Sequence, residues 1–319
     1  MEGKMLQVLL DVLVPLVVGY VCRQKGWMGE RGCRFLMLVN VIGLLTVMNL
    51  LSFWLLPIDS SLIYIPVLSL VAALVGGILA ARIFARRLPN LLQQGSYVLT
   101  AMLSNIGTMA GLAGYFLFGE LSYAYTQLFA TPQNVLMVVF AFPLAQYYRA
   151  RYLQQQEGVH FELHFREMFL TPKQLGLVGM VVGLWLHWAG VPRPAVLADS
   201  FPVLIHARAW IALLPVGYKL DFGEARKYYG RILSLLPLKF VLVPAAIYVL
   251  ARLHFSDPVL LGTLLVASAA PSAINAVITS TLFQLDADLS VAAFILTTGT
   301  YILVVIPAFF LFFHYVVGV

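Results

Sequence analysis

Ala270-Pro271-Ser272-Ala273-Ile274-Asn275 stands in the middle of an otherwise apolar run from Pro258 to Phe283. The run is long enough to cross a bilayer, for which about 20 apolar residues suffice. Its centre makes a poor helix, because proline removes a backbone donor and its ring clashes with the preceding turn. An earlier run, Gln93 to Phe118, carries Ser104-Asn105-Ile106-Gly107-Thr108 followed by Gly111 and Gly114. Three glycines and a polar triplet weaken that helix at mid-depth too. Non-helical backbone at such depth survives only where it lines a cavity or is buried in protein. Both runs are therefore expected to be broken, and the half-helices' amino ends would offer N–H groups and positive dipole ends to an anion. The competing reading is that small and polar residues simply let helices pack closely. The matching position of the two runs in the two halves of the chain favours the first reading.

The rest of the chain has the composition such runs require. Of 319 residues, 61% are hydrophobic and only 11% charged, and the mean hydropathy is +0.90; soluble domains carry about 25% charged residues. A cytosolic enzyme, a nucleic-acid reader and a disordered tail are excluded, because so little charge could not keep a surface hydrated. Polar punctuation divides the chain into ten expected spans. They run from Met5 to Cys22, Phe35 to Leu56, Leu62 to Phe84, Gln93 to Phe118 and Leu121 to Tyr148, then from Gln174 to Gly190, Ser200 to Leu220, Tyr229 to Leu253, Pro258 to Phe283 and Leu289 to Phe313. The first lacks a small-residue cleavage site and is kept as a span.

Alternate loops collect the basic residues, as cytoplasmic loops do. One set holds Arg23, Lys25, Arg31, Arg34, Arg82, Arg86, Arg87, Arg149, Arg151, Arg166, Lys173, Lys219, Arg226, Lys227 and Arg231, the other only Lys4, Arg193 and Arg252. This predicts a multi-pass protein of a plasma or bacterial inner membrane with both termini outside. The formal charge of +6 then reports orientation and contact with anionic lipid, and implies no nucleic-acid partner. Cys22 and Cys33 read as free thiols, and no spacing suggests a metal site.

An internal duplication is visible. Val17-Val18-Gly19 with Gly26 recurs as Val181-Val182-Gly183 with Gly190, and Asn105 is matched by Asn275. Five spans per half is an odd number, so the halves must face opposite ways, which is the inverted repeat of many carriers. The expected organisation is a first repeat over 1–148, a cytoplasmic linker over 149–173 and a second, inverted repeat over 174–319.

At Ala270-Pro271-Ser272-Ala273-Ile274-Asn275-Ala276, followed by Asp286-Ala287-Asp288-Leu289, and again at Gly19-Tyr20 with Arg23 to Trp27, the chain resembles the auxin efflux carrier family of permeases. The resemblance covers nearly the whole chain. It implies the ten-helix fold of bile-acid symporters and sodium–proton antiporters, with the fourth and ninth helices broken and crossing at the substrate site. It also implies a mobile unit of spans three to five and eight to ten that rocks, or slides as an elevator, against spans one, two, six and seven. Asn105 and Asn275 match the crossover asparagines and Pro271 the ninth-helix proline. The fourth-span motif usually ends in a proline, which falls here at about Ala113, so the first break is expected to rest on Gly107 and Gly111.

Ionisable groups inside spans are candidates for function. Arg208 lies about 12 Å into the seventh span at 1.5 Å per residue. It reads either as a clamp for a substrate carboxylate or as a structural partner of Asp199, Asp11 or a helix carboxyl end. Lys239 is similarly deep, but its stem can snorkel. Asp11 is a candidate proton or cation site or an interfacial acid. His187 and His206 read as interfacial or packing residues, and Trp27, Trp54, Trp185 and Trp188 as belt anchors. Gln133, Asn134, Thr297 and Thr298 face inward or satisfy backbone. The expected substrate site is Asn105, Asn275, Arg208, Ser104, Gly107, Pro271, Ser272 and Lys239, with Asp11 as the coupling-ion candidate and no cofactor or metal.

The leading expectation is thus a secondary transporter of a small organic anion; proton or sodium coupling and homodimer formation are left open. A cation exchanger would want adjacent mid-membrane acids, which are missing. An intramembrane enzyme would want an HExxH, paired aspartates or a serine–histidine pair at one depth, which are also missing. A heptahelical receptor would have seven spans.

Overall fold

The computed structural model describes residues 2–57, 59–156, 175–219 and 225–314, and every regular element among them is helical. In chain order these are α1 (Glu2–Gln24), α2 (Glu30–Leu55), α3 (Ser60–Arg87), α4 (Leu91–Met102), α5 (Ile106–Phe118), α6 (Glu120–Ala130) and α7 (133–156). There follow α8 (Leu175–Trp188), α9 (Ala195–Lys219), α10 (Arg226–Ile232), α11 (Leu235–Ala251), α12 (Pro258–Ser268), α13 (Ile274–Leu282) and α14 (Ala287–Phe312). Most of the expected linker, with Arg166 and Lys173, and both chain ends lie outside the described residues.

Helices α2, α3, α9 and α14 are each long and apolar enough to cross a membrane, and α10 with α11 is so only when the two, bent by 60° at their junction, are taken together. Large apolar side chains cover the outer faces, among them Val17, Ile78, Val181, Val203 and Leu303. Water would not tolerate so much apolar surface, whereas lipid does. The chain is an all-helical membrane protein. Trp27, Trp185 and Trp188 are exposed at helix ends, but Trp54 is half-buried and its Nε1 donates to the Val191 carbonyl at 2.7 Å.

Two expected straight spans are bent or interrupted. The run from Tyr229 to Leu253 turns at Leu233-Ser234, because Pro237 cannot accommodate the carbonyl of Leu233 in a continuous helix. The run from Leu121 to Tyr148 is interrupted at Thr131-Pro132, again just where a proline would lose an intrahelical bond.

The duplicated glycines mark two tight crossings. A Cβ on Gly19 of α1 would lie 2.0 Å from the Leu214 carbonyl oxygen of α9, and one on Gly183 of α8 would lie 2.4 Å from the Leu50 carbonyl oxygen of α2. Only hydrogen fits there, so backbone packs directly on backbone. This is how helices associate in lipid, where burying apolar area from water supplies no drive. The pairs α1–α9 and α2–α8 form one side of the molecule; the interrupted helices fill the other.

Candidate functional site: a helix crossover

Helix α4 stops at Met102 and α12 stops at Ser268, and each resumes as α5 or α13 after a short extended stretch. The two stretches pair with each other. Ser104 and Ser272 form an antiparallel bridge, the Asn105 N–H donates to the Pro271 carbonyl at 2.7 Å, and the Ala273 N–H donates to the Leu103 carbonyl at 2.9 Å. Each break thereby satisfies the other's backbone groups, which a lipid-depth site demands. Side chains complete the set. The Ser272 hydroxyl donates to the Thr100 carbonyl at 2.8 Å, the Thr297 hydroxyl oxygen accepts from the Ser272 N–H at 3.0 Å, and Gln133 Nε2 donates to the Ser104 carbonyl.

The first break lies earlier than the glycines suggest. It falls at Leu103-Ser104-Asn105, while Gly107 belongs to a π-turn, Ile106–Ala110, and Gly111 opens the regular helix after it. These glycines serve close packing instead: a Cβ on Gly111 would stand 2.9 Å from Gln127 Nε2. The cause of the break is pairing with the Pro271 strand, a contact far away in sequence.

Two buried cations converge on this crossover. Lys239, 2% exposed on a π-turn of α11, donates from Nζ to the Ser104 hydroxyl at 2.7 Å and to the carbonyls of Thr100 and Ala101 at 3.3 Å. Those carbonyls end α4, so the ammonium sits on the negative end of a half-helix dipole. Arg208, also 2% exposed, reaches in from α9, donating from Nη2 to the Gly107 carbonyl at 3.1 Å and from Nη1 to the Tyr123 hydroxyl. Its guanidinium carbon lies 5.4 Å from the centre of the Tyr123 ring, and its Nε has no partner. Gln127 Nε2 donates to the same Gly107 carbonyl at 2.7 Å. Among the described residues neither cation has a carboxylate partner. Asp59, Asp257 and Asp286 cap helices, Glu120 pairs with Arg193, and Asp11 pairs with His206.

The two half-helix amino ends at the crossover are left uncapped. Asn105 precedes α5 and Ala273 precedes α13, and neither position supplies a side-chain capping bond. Asn105 and Asn275 are half-exposed, and their side-chain amides hydrogen-bond to no described residue. The arrangement therefore combines two positive dipole ends, two open side-chain amides and two buried basic side chains that, among the described residues, have no carboxylate partner. No family model and no curated protein matches the chain.

Seven of the eight residues expected at the substrate site bond in pairs at or beside the crossover: Lys239 with Ser104, Ser104 with Ser272, Asn105 with Pro271, and Arg208 with Gly107. Asn275 follows in the first turn of α13. Asp11 does not join them. His206 Nδ1 lies 2.5 Å from one of its oxygens and Trp210 Nε1 donates to the other at 3.3 Å, so its bonds tie α1 to α9 and none reaches the crossover. Arg208 accordingly has neither Asp11 nor Asp199 as partner; it found a backbone carbonyl and a phenol. His187 Nδ1 lies 2.9 Å from the Trp54 carbonyl, a packing role between α8 and α2. Gln133 and Thr297 do bond to the broken backbone, while the side chain of Asn134 lies outside the described residues. Thr298 is buried.

Tyr123 and Gln127 were not anticipated. They stand four residues apart on α6, one face of one helix, and a search for polar residues at that spacing finds them. Thr100 acts through its carbonyl, which no side-chain pattern reveals. A cavity of about 20 Å³, room for one water, lies against Lys239, Ser104 and Gln133. Replacing Lys239 with Leu would strip donors from Ala101 and Ser104, while Thr100 keeps the Ser272 hydroxyl. Each orphaned acceptor costs about 1–3 kcal/mol, so a clear fall in the detergent-solubilised unfolding midpoint is expected, and Lys239→Arg should recover part of it.

Proposed function

We propose that the protein is a secondary carrier of a small organic anion bearing a carboxylate. The observation that carries this reading is the meeting of Arg208, Lys239 and two uncapped helix amino ends at one crossover, with no carboxylate among the described residues to balance them. A buried cation in lipid is costly unless a counter-charge reaches it, and a transported anion is that counter-charge. The amides of Asn105 and Asn275 would orient it, and no covalent chemistry is required of the protein.

The same proposal takes the ten expected spans as two inverted five-helix repeats. The equal packing roles of Gly19 and Gly183 support it, because α1 against α9 and α8 against α2 are the contacts that such a repeat exchanges. Helices α3 to α7 with α10 to α14 would move against α1, α2, α8 and α9, exposing the crossover to each side in turn. The auxin efflux carrier family remains the family proposed, on the residues around Pro271.

The test is uptake and counterflow by the purified protein in proteoliposomes, with labelled mono- and dicarboxylates as solutes. Asn105→Ala and Asn275→Ala are each expected to cut the initial rate at least tenfold while leaving the elution profile and unfolding midpoint unchanged, since neither amide bonds to described protein. Normal rates in both variants, or no carboxylate moved by the wild type, would overturn the assignment. Imposed proton and sodium gradients in the same vesicles show whether either cation drives accumulation.

A further inference from the structure

The two ends of α9 are in opposite conditions. At the Lys219 end a cavity of about 670 Å³ opens between α1, α2 and α9 on one side and α13 and α14 on the other. Arg23, Arg34 and Lys219 line it together with Ile274 and Ile278 of α13, whose first turn carries Asn275. At the other end of α9, 25 residues or about 37 Å away at 1.5 Å per residue, the same two groups of helices are held together.

Arg193, in the connection between α8 and α9, makes a two-pronged ion pair with Glu120, the first residue of α6. Its Nη1 and Nη2 lie 2.5 and 3.0 Å from the two carboxylate oxygens, and the side chains are only 7% and 17% exposed. Arg193 Nη1 also donates to the Leu51 carbonyl near the end of α2 at 3.0 Å, which fixes it to that helix pair. Gly119 immediately before Glu120 has φ +82°, so the α5–α6 turn needs a glycine to point the carboxylate this way. Beside this pair, Tyr115 of α5 and Tyr123 of α6 each pack on Phe201 of α9 with centroids 5.6 Å apart, and Phe116 packs on His206 at 5.7 Å. Arg208 lies against the inner side of this aromatic layer through Tyr123.

We propose that the Arg193–Glu120 pair is the latch of a gate: it holds the α5–α6 turn on the α2 and α8–α9 ends while the cavity at the Lys219 end is open, and it must part for the crossover to face the other side. The inference rests on the carrier reading. It adds which conformation is captured and which contact maintains it. A shielded bidentate pair suits a latch because its two parallel bonds fix one geometry and solvent screens it little, whereas a solvated surface pair holds its partners weakly.

The experiment reads shape and needs no solute. In a full-length Cys22→Ser, Cys33→Ser background, spin labels at Arg34→Cys on α2 and Ile278→Cys on α13 face each other across the open cavity, at exposed positions that tolerate a label. Pulsed dipolar spectroscopy on this parent in lipid nanodiscs is expected to give one dominant distance. Glu120→Gln and Arg193→Gln should each add a second, displaced population of at least one fifth, and Glu120→Arg combined with Arg193→Glu should restore the parent distribution. Unchanged distances in both single variants would overturn the latch. So would displacement that the charge swap fails to reverse, since that marks general loosening. Failure of the carrier reading shows separately, as absence of carboxylate uptake with these distances as expected.

Discussion

Arg208→Gln is expected to lower the initial rate of carboxylate uptake by about a hundredfold, equivalent to about 2.7 kcal/mol, without unfolding the protein. The size follows from what is removed. A hydrogen bond to a charged group is worth about 1.5–3 kcal/mol, and the Arg208 guanidinium, held on the Gly107 carbonyl in the first turn of α5, is a buried positive charge beside that helix's amino end. Stability survives because the Gly107 carbonyl keeps the Gln127 amide at 2.7 Å when the arginine is gone, so the only group that loses its partner is the Tyr123 hydroxyl. Removing an unbalanced buried charge also relieves a desolvation cost. Arg208→Lys separates charge from shape: the ammonium keeps the sign but cannot hold the Gly107 carbonyl and a carboxylate in one planar fork, and an intermediate loss near tenfold is expected. The measurement is initial-rate uptake in proteoliposomes, paired with the thermal midpoint in detergent. Full activity in Arg208→Gln would leave the guanidinium as a mere brace between α9 and the break.

How much of this was visible beforehand depends on whether its cause is local. Proline 271 breaks a helix by its own covalent structure, so that discontinuity can be read from the chain. The break at Leu103-Ser104-Asn105 has no such local cause. The backbone there is extended because it pairs with Pro271-Ser272-Ala273, and the glycines that drew attention, Gly107 and Gly111, turned out to make room for Gln127. The buried cations were legible as charges in apolar runs, but their partners were not. Lys239 is satisfied by the carbonyls of Thr100 and Ala101, and every residue owns a carbonyl, so nothing in the sequence singles these two out. The same limit hid the pairs Asp11–His206 and Glu120–Arg193, whose members are far apart in the chain and meet only when α1, α6 and α9 are in place. The 60° turn at Leu233-Ser234 lies one turn before Pro237, and hydropathy does not mark it because the apolar run continues through it.

The repeated glycines carry the largest structural prediction: Gly19→Ala and Gly183→Ala should each prevent recovery of monodisperse protein or lower its unfolding midpoint sharply. A methyl group at Gly19 would come within 2.0 Å of the Leu214 carbonyl oxygen and 2.8 Å of the Tyr218 nitrogen. At Gly183 it would meet the Leu50 carbonyl oxygen at 2.4 Å and the Trp54 nitrogen at 3.1 Å. Overpacking a core usually costs about 1–3 kcal/mol because a side chain can swing aside; here the obstacle is backbone, and the two helices must part along their length. Lipid then replaces the lost contact without any hydrophobic penalty to pull them back together. Gly299→Ala is the control, since its added methyl meets nothing within 4 Å and alanine is favoured over glycine inside a helix by about 0.5–1 kcal/mol. That variant should be as stable as the parent or slightly more so. If Gly19→Ala and Gly299→Ala behaved alike, the α1–α9 contact would not be what holds that side of the molecule together. If Gly19→Ala failed while Gly183→Ala did not, the two crossings would lose their equivalence, and with it the packing argument for an inverted repeat.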